Sequence, residues 1–182
     1  MKKLIILIVV LLSAVWGGSA ADAAIIVGRI SHVEGNIFRY MDVDESWVET
    51  HLQSPAGIED VLATGHDSRV EITFPNNLLL RLDENTEVEI LELDDNLCVF
   101  QLNTGVARLY NGSASGRIKI ETIRGTVKVA PGSVIDVQAD ENTVVVSAVQ
   151  GEATFQSLRN GVERIEVISG STRLQFLEES IV

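Results

Sequence analysis

The feature that most constrains this chain is the alternation of apolar and polar residues. In Arg117-Ile118-Lys119-Ile120-Glu121-Thr122-Ile123 the two classes swap at nearly every step. Successive side chains of an extended chain point to opposite faces, so the isoleucines share one face of a strand. The same pattern recurs in Thr126-Val127-Lys128-Val129, in Ser133-Val134-Ile135-Asp136-Val137 and in Arg164-Ile165-Glu166-Val167-Ile168. Valine and isoleucine dominate, as β-branched residues do on a half-buried pleated surface. Thr143-Val144-Val145-Val146 is instead a continuous apolar run, which predicts a strand covered on both faces. Between these runs lie Asn76-Asn77, Asn111-Gly112, Asp140-Glu141-Asn142 and Asn160-Gly161, residues that tolerate the backbone of tight turns. No segment after the N-terminal run has helical periodicity; the nearest candidate, residues 56–62, is short.

A repeat lies over the alternation. Ala130-Pro131-Gly132-Ser133-Val134, Val149-Gln150-Gly151-Glu152-Ala153 and Ile168-Ser169-Gly170-Ser171-Thr172 share one form: a small or apolar residue, a spacer, a glycine, then a new strand. The glycines fall 19 residues apart both times, and related units surround Gly35 and Gly105. Such a glycine supplies the backbone freedom of a tight strand-to-strand turn. A fixed period predicts units that each bury an apolar face on the next. The expected fold is therefore all-β, a repetitive, β-solenoid-like stack of hairpins and short strands, with a two-sheet β-sandwich as the alternative.

The N-terminus carries a different signal. Lys2 and Lys3 precede an apolar run over residues 4–16, then Gly17-Gly18-Ser19-Ala20-Ala21. That is the order of a secretory signal peptide. The run is shorter than the ~20 residues that cross a bilayer. The expected organisation is a signal peptide over residues 1–23, cleaved after Ala21 or Ala23, one β domain over 24–176, and a C-terminal tail over 177–182. Export implies a periplasmic or secreted protein with no stable membrane insertion after cleavage. The net charge is −12, and cleavage makes it more negative. An acidic chain without clustered Lys and Arg is not built to neutralise phosphates, which excludes nucleic acid and disfavours an anionic membrane surface.

The residues that carry chemistry do not form a recognisable site. Cys98 is the one cysteine and sits among apolar neighbours, so it reads as a small core residue. His32, His51 and His66 lack ligand spacing with one another. Asp42-x-Asp44-x-Ser46 opens like a calcium loop, but Trp47 and Gln53 stand where glycine and a bidentate glutamate belong. Asp94-Asp95-Asn96 reads as a hairpin tip. Asp83 and Glu84 are adjacent and point to opposite faces, so together they do not flank a glycosidic bond. Tyr40 and Trp47 could line a sugar-binding site, but a core or edge-covering role is the favoured reading of both. No catalytic, cofactor-binding or metal-binding residue is assigned, and no cofactor is expected.

Several segments resemble the FecR domain family. They are Glu59-Asp60-Val61-Leu62-Ala63-Thr64-Gly65 with Ser68-Arg69; Phe74-Pro75-Asn76-Asn77; Leu102-Asn103-Thr104-Gly105; Thr122-Ile123-Arg124-Gly125-Thr126; and Val149-Gln150-Gly151. Together they span about residues 28–155. Glu59 and Asn77 stand where the family usually has glycine, and Ile123 where it has proline. The family's motifs are backbone punctuation rather than catalytic groups. Full FecR regulators place a cytoplasmic sigma-factor segment and a membrane helix before the periplasmic domain. Here only the leader-like segment precedes the β region, so the resemblance implies a stand-alone exported module. The expected function is non-catalytic interaction in the bacterial cell envelope, in signalling or scaffolding, with another envelope protein or cell-wall glycan as partner. A glycan-binding protein is the alternative, and a carboxylate-based envelope hydrolase a more distant one.

Overall fold

The computed structural model describes residues 26–159, 162–170 and 173–177. The expected leader, the Asn160-Gly161 turn and residues 178–182 lie outside them. Every regular element among the described residues is a strand, sixteen in all. Residues 56–62, the nearest thing to a helix in the sequence, end one strand and begin the next.

The strands form one hydrogen-bonded ladder in two sheets. Sheet I contains β1 (Gly28–Glu34), β4 (Pro55–Ala56), β6 (Arg69–Thr73), β7 (Leu78–Leu82), β12 (Val134–Ala139), β13 (Thr143–Gln150) and β16 (Arg173–Leu177). Sheet II contains β2 (Ile37–Met41), β3 (Ser46–Thr50), β5 (Val61–Thr64), β8 (Glu87–Leu93), β10 (Arg117–Thr122), β11 (Gly125–Val129), β14 (Glu152–Arg159) and β15 (Val162–Ser169). The fifteen-residue β9 (Leu97–Asn111) belongs to both. Its first part pairs with β8 and, in parallel, with β10. Its second part pairs with β7 and β12. All other neighbours are antiparallel.

Chain length forces β9 to fold back on itself. Straight, it would span about 45–50 Å at ~3.3 Å per residue. Yet only residues 112–116 join its end to Arg117, which lies beside Leu97 at its start. Six extended steps reach only about 20 Å. The strand bends at Gly105, whose φ is +92°. Its inward residues change parity there, from Cys98, Phe100 and Leu102 to Ala107, Leu109 and Asn111. The two sheets therefore face each other across one core containing Ile30, Leu62, Ile72, Leu80, Phe100, Val137 and Phe155. Phe74 from the sheet I side meets Phe100 of sheet II at 5.5 Å between ring centroids. Burying a side chain of this size contributes about 1.5–3 kcal/mol.

The glycine units make strand-to-strand turns, as expected, and each is a corner between the two sheets. Gly35 joins β1 to β2, Gly132 joins β11 to β12, Gly151 joins β13 to β14 and Gly170 joins β15 to β16, all at positive φ. The hairpin tips lie elsewhere, as at Asp140, whose Oδ1 accepts from the amides of Asn142 (2.9 Å) and Thr143 (2.8 Å). Three corners share one device. A Cβ on Gly35, Gly105 or Gly151 would overlap Ser68, Thr86 or Ser133. Each of those hydroxyls accepts a hydrogen bond at 2.9 Å from the amide following the glycine. All three hydroxyl residues are buried. Around Gly132 and Gly170 the same space is open, so the 19-residue spacing reflects strand length more than one repeated packing.

The expected all-β class is observed, and Val144, Val145 and Val146 are all buried, as a doubly covered strand requires. The strand order is that of a bent, open ladder, and nothing in it requires coils stacked along an axis. Leu177 was expected in the tail; it closes β16 instead, in register with Thr143. Glu59 and Asn77 both adopt left-handed backbone, at φ +70° and +59°. That conformation is the physical reason a glycine suits both positions.

Candidate functional site

Most of the groups singled out for chemistry are engaged structurally. Cys98 is fully buried and accepts a hydrogen bond from Asn76 Nδ2 at 3.2 Å. Burial pushes its thiol pKa up, against the Asn76 contact that lowers it. A reactive cysteine needs the opposite shift and an open approach. Asp94 Oδ1 accepts from the amides of Asn96 and Leu97, both at 2.6 Å, as a hairpin tip does. Residues 42–45 are the exposed turn between β2 and β3. Asp83 is held by Arg69 at 3.3 Å.

His32 pairs with Glu34 at 3.1 Å, and His51 lies in an exposed segment after β3. His66 does gather partners that its sequence neighbourhood conceals. Its Nδ1 lies 2.9 Å from Glu84 Oε2 and its Nε2 lies 3.4 Å from Asp67. Glu84 also accepts the Asp67 amide at 3.0 Å. The ligand atoms of this trio lie within 4.8 Å of one another, and all three residues are exposed. They come together because the corner after β5 stacks on the corner after β7, with Asn85 N donating to Gly65 O at 3.1 Å.

The outward faces of the two sheets differ in how their charges are matched. On sheet I, Glu71, Arg81, Arg108 and Asp136 follow one another in register across β6, β7, β9 and β12. Arg81 Nε donates to Glu71 at 2.9 Å, and its guanidinium lies 5.6 Å from the centre of the Tyr110 ring. Arg108 donates through two nitrogens to the two oxygens of Asp136, at 2.5 and 2.8 Å. That contact raises the Arg108 pKa further above its ordinary value. Such two-point pairs are the strong form of the ion pair.

On sheet II, Lys119 of β10 stands directly opposite Lys128 of β11. After residue 23 these are the only lysines in the chain. Neither ammonium has a hydrogen-bond or ion-pair partner among the described residues. Glu121, two residues along β10, faces Thr126 and Gln101 in register. A depression of about 450 Å³ lies on one side of the lysine pair, bordered by Glu121, Arg124, Thr126 and Gln156. A second, of about 250 Å³, lies on the other, bordered by Arg117, Pro131, Glu152 and Thr154. The two lysines border both.

The third surface is the β2–β3 hairpin. Among the described residues β3 pairs only with β2, so its other side is a free sheet edge there. Met41, Val43, Trp47 and Val48 are exposed here, Val43 by 92% and Trp47 by 43%. Tyr40 and Trp47 are cross-strand partners with centroids 5.4 Å apart and planes at 63°. Edge-on rings do not form the flat platform that sugar stacking uses, and neither ring is buried in the core.

Sequence reading missed the lysine pair and the charge row of sheet I. The lysine register was accessible in principle, because the turn after Thr122 fixes which residues of β10 and β11 oppose each other. That these lysines have no ion-pair partner among the described residues depends on β9 and β14, which the sequence alone does not place beside them.

The family model described as FecR protein matches residues 60–154, from β5 into β14. A search of curated proteins by sequence gave no match. Two crystal structures of a proposed anti-sigma factor from Parabacteroides distasonis, at 1.65 and 2.50 Å, are similar, each with a TM-score of 0.48 and 16% identity. Each alignment covers 65% of this chain and 60% of the other, so the chain spans about three-fifths of that protein's length.

Proposed function

The chain belongs to the FecR protein family, and from that premise we propose that it is a non-catalytic, exported interaction module of the bacterial cell envelope, acting in envelope signalling. The observation that carries this reading is the free edge of β3 with its exposed Trp47 and Val48. Native sheets usually blunt an edge with charge, proline or a bulge. β4, the edge strand at one end of sheet I, is of that kind: two residues long, with Pro55. β3 has five residues, with Glu49 as its one charge. An extended partner segment adding to β3 would gain main-chain hydrogen bonds, with Trp47 and Val48 supplying side-chain contact. A hydrolase built on Asp83 and Glu84 is disfavoured by the engagement of both, with Arg69 and His66.

The test is crosslinking in living cells of the source organism, from a photoreactive group at position 48. Reproducible capture of one envelope protein, lost when Thr50→Pro is added in a protein that still folds, supports the reading. Failure to capture any protein, with retention on isolated cell wall instead, overturns it in favour of glycan binding.

A further inference from the structure

We propose that the free side of β3 receives an extended partner segment in which basic and apolar residues alternate. This rests on the interaction-module reading and deepens it, by naming the chemistry of the strand that adds to that edge.

The acids beside this edge are not used by the fold. Elsewhere, turn and corner carboxylates hold the backbone or a cation. Asp94 and Asp140 cap amides, Asp83 meets Arg69, and Asp60 takes both Arg39, at 3.2 Å, and the Gly57 amide, at 2.7 Å. The turn over residues 42–45 closes on main-chain bonds instead, from Asp44 N to Met41 O at 3.2 Å and from Glu45 N to Asp42 O at 3.4 Å. The side chains of Asp42, Asp44 and Glu45 are exposed and have no hydrogen-bond or ion-pair partner among the described residues. Glu45 also sits at φ +45°, a conformation that suits glycine or asparagine better. Glu49 follows on β3 itself, and its contact is with the uncharged Asn36 amide, at 3.1 Å. The one cation of the hairpin, Arg39, is turned to Asp60 and to the Pro55 carbonyl. Local rules of this kind are broken mostly where function requires it. Carboxylates therefore line a free strand edge with no cation set against them, and a cationic segment supplies what the chain leaves out.

The alternation of β3 sets the pattern of the partner. Trp47 and Glu49 lie on one face of the strand and Val48 on the other. A strand added alongside places every second residue next to Trp47 and Glu49. Lys or Arg there meets a carboxylate and an exposed indole, the ring that attracts cations most strongly. The intervening residues fall beside Val48, which is 48% exposed, and apolar side chains cover it. A second copy of this chain is a poor occupant, because it brings the same acids to the same edge. A neutral glycan leaves the carboxylates unmatched.

The test is a titration of the exported chain with fluorescein-labelled Thr-Lys-Val-Arg-Val-Lys-Thr. One control is Thr-Gln-Val-Gln-Val-Gln-Thr. The other is Lys-Arg-Lys-Val-Val-Thr-Thr, with the residues of the first peptide but not its alternation. The site variant combines Asp42→Asn, Asp44→Asn and Glu49→Gln, and the glutamine still accepts from Asn36. A reference variant, Glu92→Gln with Asp95→Asn and Glu141→Gln, removes the same charge from exposed positions elsewhere. The expected result is binding of the alternating peptide, at least about threefold weaker in the site variant and close to wild type in the reference variant. Equal weakening in both variants makes the attraction non-specific and overturns the proposal. So does equal binding of either control peptide, or no binding of the alternating peptide to wild type. Dimerisation of the chain that the peptide displaces also overturns it, making the occupant a second copy. The module reading fails separately, on the crosslinking from position 48. Capture there of an envelope protein through an acidic or uncharged segment sinks this proposal and leaves that reading standing.

Discussion

The outer faces of sheets I and II are built from the same ladder, and even from the same strand, β9, yet they handle charge in opposite ways. Sheet I sets Glu71, Arg81, Arg108 and Asp136 side by side and satisfies each within the fold. Sheet II sets its two lysines against each other and satisfies neither among the described residues. A surface whose charges are matched internally has little left for a partner, because a newcomer must first displace the existing contacts. A surface with unmatched charge gives up some stability and gains a ready point of attachment. The difference separates a face whose charges help hold the fold from one whose two lysines repel.

The comparison can be broken outright at its hinge. Gly105→Val places a branched side chain at φ +92° and against Thr86, where β9 passes from one sheet to the other. The expected loss is about 3 kcal/mol or more, from backbone strain and a core that no longer closes. Urea unfolding, or failure to express soluble protein, measures it.

A smaller effect is expected on sheet I. Arg108→Glu leaves Asp136 facing another carboxylate and removes the two-point pair, for a loss of about 2 kcal/mol by urea unfolding. The groups remain partly exposed, which keeps the figure below that of a fully buried ion pair. Sheet II should respond with the opposite sign. Lys128→Glu converts a repelling pair into an attracting one and should stabilise by about 0.5–1 kcal/mol. If both charge changes destabilise alike, the two faces do not differ as described.

The smallest expected effect comes from the core shared by both sheets. The Cys98 pKa is raised in the fold by burial. An unfolded thiol ionises first, near pH 8.5, so the folded state then holds the extra proton. Stability should be flat below that pH and fall as pH rises from it toward the folded value. Cys98→Ser should remove this slope in unfolding experiments between pH 7.5 and 10, at some cost in overall stability. Comparisons of the two faces are best made on the flat side.

Much of the fold is legible because its cause is local. Ile118, Ile120, Val127 and Val129 fall inward as their alternation requires. The turns at Asp94 and Asp140 form because a short carboxylate caps the amides two and three residues on. The corner motif is half legible. Glycine marks Gly35, Gly105 and Gly151, but nothing nearby announces the hydroxyl each packs against, 33, 19 and 18 residues away in Ser68, Thr86 and Ser133. Asn111 shows the same limit. It reads as a turn residue, yet its fully buried amide donates to the carbonyls of Gly116 (3.1 Å) and Ala130 (3.2 Å), tying the far end of β9 to the strands that follow. Of the candidate surfaces, Tyr40 and Trp47 were visible as residues, whereas the free edge of β3 beside them was not.

The sequence by itself determined the strands, their inward faces and most of their turns, together with the acidic balance and the shortage of lysine. These follow from period-two patterning and from side chains acting on their own backbone, which operate over a few residues. Only the tertiary structure decided that glycines turn strands from sheet to sheet, that His66 meets Glu84, that β3 is paired on one side only among the described residues and that Lys119 stands opposite Lys128. Each depends on which strands lie side by side. Pairing is decided by the closing of one shared core, and the alternating pattern is much the same in every strand that competes for a place in it.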